Sequence, residues 1–155
     1  MSAMEPLSHL IGINSNKLSK EENLILEAEL FMHICKELKE NFRKQHSDYF
    51  QLMKFTQQME IEMLDENFIR LVIKDILLTS EYTVEGLAEY TGIHEDIIHE
   101  VITGRNITPS AILLQRTIAL HKSVRSKLYE GVIKKVVTEF LTNSSHLTIQ
   151  PITSA

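Results

Sequence analysis

The sequence predicts an all-α fold, and three features carry that prediction. Five glycines and three prolines in 155 residues leave few breakers, so the elements should be long and uninterrupted. Apolar residues recur three and four apart through most of the chain, the spacing of a helix face. No segment shows the strict alternation of a half-buried strand.

The elements follow in order. Residues 1–18 carry no clear period and contain Pro6 and Gly12; they read as a flexible arm. Ser19-Lys20-Glu21-Glu22 is a capping box, with Ser19 accepting from an orphan amide and Glu22 reaching back. A long helix should start there. Leu24, Ala28, Phe31, Cys35, Leu38 and Phe42 alternate four and three apart, the a/d stripe of a heptad, which Leu30 and Ile34 widen. These positions are the expected dimer seam. The stripe lapses near 43–48, where Ser47 or Asp48 is placed to cap a second helix through Tyr49, Leu52, Phe55, Met59 and Met63. A helical hairpin and one bent helix both fit. Met32, Met53, Met59 and Met63 read as adaptable core filling, with a methionine-rich groove as the alternative.

Asp65 is expected to begin a third helix carrying Phe68, Ile69, Val72, Ile73, Ile76 and Leu77. Thr83 should cap a short helix to Tyr90. Thr91-Gly92-Ile93 reads as a turn, 94–102 as a helix, and 103–108 as a loop. Pro109 suits the first position of the next helix, where a missing amide is harmless. A last helix spans about 123–141, and 143–155 reads as a flexible tail. The predicted organisation is therefore an arm (1–18), an N-terminal helical dimerisation segment (19–64), a helical domain (65–142) and the tail.

Composition limits the function classes. Apolar residues make up 43 % and charged residues 24 %, as in ordinary water-soluble proteins. Cys35 is the one cysteine, so no internal disulfide is possible, and a reducing compartment fits. No apolar run approaches the length of a membrane span, roughly 18 residues or more. The start of the chain lacks a signal-peptide pattern. A cytoplasmic location is expected. There is no Gly-rich phosphate loop, no Gly-x-Ser-x-Gly and no evident nucleophile–base pairing, so an enzyme is not expected and no cofactor is implied. Cys35 reads as a small buried residue, and His33 and His121 as surface or semi-buried helical residues. Tyr49, Tyr82, Tyr90 and Tyr129 are too dispersed for a base-stacking platform.

His94-Glu95 followed by His99 looks superficially like H-E-x-x-H. That signature needs histidines four apart on one helix face. Here they are five apart and point roughly 140° from each other. No metal site is expected.

Net charge is -5 but uneven. Residues 1–80 hold 9 basic and 13 acidic side chains, 81–104 hold 6 acidic and no basic ones, and 105–155 hold 7 basic and 2 acidic ones.

The run TVEGLAEYTGIHEDIIHEVITGRNITPS resembles the helix-turn-helix of the lambda-repressor-like (Cro/repressor) family. Leu87 and Ala88 match the inner face of its first helix. Gly92 matches the left-handed turn, and Ile93, Ile98 and Val101 match the core contacts of the second helix. Gly104-Arg105-Asn106 and Pro109-Ser110 match the following loop and helix start. The resemblance covers about residues 65–122. It implies a helix-turn-helix domain of about five helices, here with an added long N-terminal helix or hairpin. It also implies a DNA-binding transcriptional regulator acting as a dimer on double-stranded DNA. His94, Glu95, Asp96, His99, Glu100 and Thr103 would face bases. Arg105, Asn106, Arg116, Lys122 and Arg125 would face phosphates.

The charge pattern departs from that family. Three of the six outward side chains are acidic and none is Lys or Arg, although affinity for DNA comes mostly from cations. Ile97 and Ile102 also make this helix apolar around more of its circumference than base reading requires. A second expectation follows, a module that kept the fold and binds a protein partner through its acidic face.

Overall fold

A computed structural model describes residues 18–144. Seven helices and no strand occur among them, so the fold is all-α and helix-turn-helix-like. They are α1 (Lys20–Gln45), α2 (Ser47–Leu52), α3 (Gln57–Leu78), α4 (Val84–Thr91), α5 (Glu95–Ile102), α6 (Ala111–Val124) and α7 (Ser126–Ser144). The expected arm 1–18 falls outside the described residues except for Leu18. The expected tail 143–155 also falls outside them, except that Asn143 and Ser144 belong to α7. The described chain forms two compact units, one of residues 39–126 and one of 18–38 with 127–144. The division lies inside α1 and at the first residue of α7.

The capping box opens α1 as expected. The Ser19 amide donates to Glu22 Oε1 at 3.0 Å, and the Glu22 amide donates to Ser19 Oγ at 3.1 Å. Hydrogen bonds from the Ser19 amide and then from its side chain hold the Glu22 carboxyl below the usual carboxylate range. The apolar seam needs correction. The buried residues of α1 are Leu30, Ile34, Leu38 and Phe42, spaced by four, with Cys35 and Glu37 beside them. Of the six expected seam positions, Cys35, Leu38 and Phe42 are buried within the chain, while Leu24 and Ala28 are exposed. Phe31, the sixth, is half-buried, so the stripe is covered in the second half of α1 and open in the first.

Between α1 and α3 the expected boundaries also shift. His46 stands at the start of α2, so neither Ser47 nor Asp48 caps it. Lys54 takes a left-handed φ of 57° and turns the chain. Thr56 then caps α3, its Oγ1 accepting from the Met59 amide at 3.2 Å. The helix expected from Asp65 therefore begins two turns earlier. Asp65 lies within it and pairs with Lys39 at 2.7 Å. Lys39 also sits over the Phe68 ring, and Arg43 approaches Glu60 at 3.8 Å. Phe42 meets Phe68 edge-on. Rising numbers on one helix thus face falling numbers on the other, an antiparallel pairing of the end of α1 with α3.

The core of the 39–126 unit is built on α3. Leu64, Phe68, Ile69, Val72, Ile73 and Ile76 form its buried face. Helices α5 and α6 pack on α3, and α4 packs on both α5 and α6. Ser110 caps α6, so Pro109 stands one residue before the cap and not at the first helical position. The Ser110 hydroxyl supplies the acceptor that a proline cannot. In the other unit, Tyr129, Val132 and Val136 are the buried residues of α7, and Lys135 pairs with the mostly buried Glu37 at 2.9 Å.

One polar network lies in the 39–126 core. His121, fully buried on α6, has Nε2 2.7 Å from Asp75 Oδ2 on α3. Arg125 closes on the same carboxylate with Nε to Oδ2 and Nη2 to Oδ1, both at 3.0 Å. Burial raises the Asp75 carboxyl's pKa. The hydrogen bonds from Arg125 and His121 outweigh that and hold it below the usual range. Burial lowers the His121 pKa, against the pull of the Asp75 hydrogen bond and charge. The imidazole is then neutral and donates from Nε2.

Both pKa values are depressed in the fold, so the unfolded chain binds more protons and stability rises with pH. The stability contributed is complete above the ordinary histidine value of 6.5 and is lost as pH falls through the folded values. The melting temperature should decline below that pH. His121→Gln, which cannot titrate, should shrink the part of the decline above about pH 5. Asp75→Ala strands both partners and should cost about 3 kcal/mol by urea denaturation at neutral pH.

Candidate nucleic-acid interface

Helices α4 and α5 and the turn between them form the surface that the sequence resemblance singled out. Thr83 caps α4, its Oγ1 accepting from the Gly86 amide at 3.1 Å. Leu87 is fully buried and Ala88 half-buried. Thr91 is also fully buried, where its hydroxyl is satisfied by donating to the Leu87 carbonyl at 2.8 Å. Gly92 follows with φ of 70°, and its amide donates to the Ala88 carbonyl. A side chain is strained at that φ. A Cβ there would also stand 3.1 Å from Arg116 Nη1.

Arg116 comes this close because its Nη1 donates to the Thr91 carbonyl at 2.5 Å. The guanidinium ties α6 to the end of α4, at the orphan carbonyls that a helix C-terminus presents. It is exposed, but part of its hydrogen-bonding capacity belongs to the turn.

His94 is the N-cap of α5. Its Nδ1 accepts from the Asp96 amide at 3.1 Å, leaving Nε2 as the ring nitrogen open to a ligand. Glu95 and Asp96 occupy the first turn, where negative charge is favoured by the helix dipole. Ile98 and Val101 are the buried residues of α5, at 0 % and 1 % exposure, as the pattern required. His94, Glu95, Asp96, His99, Glu100 and Thr103 are all exposed. Glu95 and His99 approach to 3.6 Å. The Thr103 hydroxyl donates to the His99 carbonyl at 2.9 Å, so its proton is already engaged. Ile97 is 40 % exposed and Ile102 half-buried. No group of three metal-binding side chains occurs among the described residues.

The expected phosphate-facing residues separate into engaged and available groups. Arg125 is a correction: its bidentate pairing with Asp75 places it in the core network. Asn106 is half-buried, and its Oδ1 accepts from the Thr108 amide at 3.1 Å as a turn-forming contact. Arg105 is exposed, and only its Nε is directed inward, to Thr103 Oγ1 at 3.2 Å. Lys122 is half-buried. The acidic face of α5 thus has fewer uncommitted cations beside it than the sequence implied. Arg70, which the sequence reading did not single out, lies against the turn after α5. A Cβ on Gly104, itself at φ of 79°, would be 3.4 Å from Arg70 Nη1. No local pattern announces that contact, because it joins positions far apart in the chain.

The chain matches no protein-family model, no curated protein and no solved structure.

Gly92→Ala should destabilise the 39–126 unit by about 1–2 kcal/mol, from the left-handed φ and the displaced Arg116. Ile98→Asp leaves a charge unpaired in the core and should abolish cooperative unfolding. Glu95→Ala should shift stability by no more than about 0.5 kcal/mol. Circular dichroism during urea titration reads all three.

Proposed function

We propose that this chain is a DNA-binding transcriptional regulator that inserts α5 into the major groove. The observation that supports this most is the division of α5 into two faces. Ile98 and Val101 are buried, while six polar side chains from His94 to Thr103 stand in solvent. A short helix held by a rigid turn, with a free polar outer face, is what groove reading requires. Glu95 and Glu100 suit cytosine amino groups, and His99 suits a purine edge. Arg105, Lys122 and the outward part of Arg116 supply the phosphate contacts. Asp96, beside the backbone of DNA, limits nonspecific affinity, so discrimination rests on the base contacts.

The active form is a homodimer. Leu24, Ile25, Ala28 and Met32 are exposed on α1, on the side away from Leu30 and Ile34. Leu24, Ile25 and Met32 are 73 %, 60 % and 69 % exposed, a contiguous apolar strip on an otherwise charged helix. A second copy covering this strip would provide the two-fold symmetry of a palindromic operator. Met32→Lys should shift the chain to monomer in analytical ultracentrifugation without loss of helix content.

A specific observation favours a second reading. With Arg125 bound to Asp75 and Arg116 to Thr91, the carboxylates of α5 face solvent with little basic counterweight. A basic protein surface would suit that face. Fluorescence anisotropy with mixed genomic duplex DNA, from roughly 25 to 200 mM salt, separates the readings. DNA binding predicts affinity that falls steeply with salt, and Glu95→Lys/Glu100→Lys should strengthen it while blurring sequence preference. Absence of binding by the wild type at the lowest salt, with binding gained on charge reversal, assigns the face to a protein partner.

A further inference from the structure

An open pocket of about 300 Å³ lies beside α3 in the 39–126 unit. Its walls differ sharply in chemistry. Tyr49, Phe50, Met63 and Leu71 contribute apolar surface, while Arg70 and Lys74 contribute positive charge, and no carboxylate lines it. Arg70 and Lys74 are four apart on α3 and so share one helix face. Neither makes an ion pair among the described residues. Arg70 Nη1 donates to Asn67 Oδ1 at a long 3.3 Å, and Arg70 Nε is buried with no acceptor. The volume lies at the small end of the range for small-molecule sites, about 300–1,000 Å³.

We propose that this pocket binds a small amphiphilic organic anion, its acid group on Arg70 and Lys74 and its hydrocarbon body against Phe50, Met63 and Leu71. A guanidinium and an ammonium on adjacent turns give two charge-assisted hydrogen bonds to one acid group. The aromatic and methionine walls take apolar bodies of varied shape, because methionine repacks easily. Arg70 also lies beside the turn at Gly104 that ends α5, its Nη1 3.4 Å from where a Cβ on that glycine would stand. An acid drawn onto the guanidinium competes with Asn67 and shifts the support beneath that turn, so occupancy alters α5. Binding itself stands independently of the DNA reading; only the consequence for operator affinity rests on it.

The test uses the full chain, isothermal titration calorimetry and the ε-methyl NMR resonance of Met63. The probes are octanoate, octanol, octylamine and inorganic phosphate. Octanoate should bind at least about tenfold more tightly than octanol, the least that charge-assisted hydrogen bonds confer. Octylamine should bind more weakly than octanol. Octanoate should move the Met63 methyl, and phosphate alone should not. Lys74→Gln, at an exposed position, should reduce the advantage of octanoate over octanol several-fold while leaving octanol unchanged. Arg70→Gln should reduce it further; if that variant loses its fold, Lys74→Gln carries the test. Equal affinity for octanoate and octanol overturns the proposal, as does phosphate binding as tightly as octanoate. Octanoate binding that leaves Met63 unmoved, or no binding by any probe, also overturns it. An octanoate-selective site without any effect on DNA affinity would leave the pocket standing and remove only its link to α5.

Discussion

A carboxylate set into the apolar face of a helix is costly unless its oxygens are filled by donors. In α3, Asp75 sits between the buried Ile73 and Ile76, and its oxygens are filled by His121 and Arg125. The first comes from inside α6 and the second from its C-cap. This one group therefore sets both the rotation of α6 against α3 and the point where α6 ends. Helix α6 in turn carries Arg116, which holds the end of α4. The position of the α4–α5 turn depends through α6 on a carboxylate that never approaches it. Apolar burial supplies the larger part of the stability, but burial alone is nondirectional. Hydrogen-bonded partners select one packing among several of similar area, a role known for buried polar groups in some proteins.

The same economy of cations explains the electrostatic character of the candidate interface. The segment 105–155 carries a surplus of positive charge, but surplus in sequence is not availability in space. Arg125 neutralises Asp75, Lys135 neutralises Glu37, and Arg116 spends one nitrogen on the Thr91 carbonyl. The acids of α5 are partly structural as well. Glu95 and Asp96 meet the positive end of their own helix dipole. Their presence is thus no measure of what the surface binds. Glu100, at the other end of α5, has no such role, and its charge there disfavours a polyanion.

Local patterns were legible in the sequence, and long-range pairings were not. The Ser19–Glu22 box, the Thr83 cap, the Gly92 turn and the inward Ile98 and Val101 each depend on residues within one or two turns of each other. The start of α3 was misplaced because Asp65 looks like a cap until Lys39 is seen beside it, while Thr56 is an equally good cap with a weaker apolar run behind it. The seam of α1 is legible only in its second half for a related reason. The heptad positions Cys35, Leu38 and Phe42 are buried beside Leu30 and Ile34, while Leu24 and Ala28, equally apolar in pattern, are exposed. Only the rest of the fold decides how far along the helix the stripe is covered. Asp75 lies 46 residues from His121 and 50 from Arg125. A lone acid within LVIKDILL signals that a partner is needed without saying which.

Arg70 extends this reasoning to function. It occupies a helix that is otherwise committed to the core, yet its hydrogen-bond partner among the described residues is a long contact to a neighbour one turn away. Arg125, the comparable cation on the other side of α3, is held by a bidentate carboxylate. An arginine so fixed is a strut. Arg70 stands between an apolar pocket and the glycine turn that ends α5. Gly104 takes a left-handed φ of 79°, where a side chain would be strained, while a Cβ would only reach van der Waals contact with the guanidinium. On the proposal above, Arg70 would link the pocket to the α5 turn without rearrangement of the apolar core that Asp75 keeps in register.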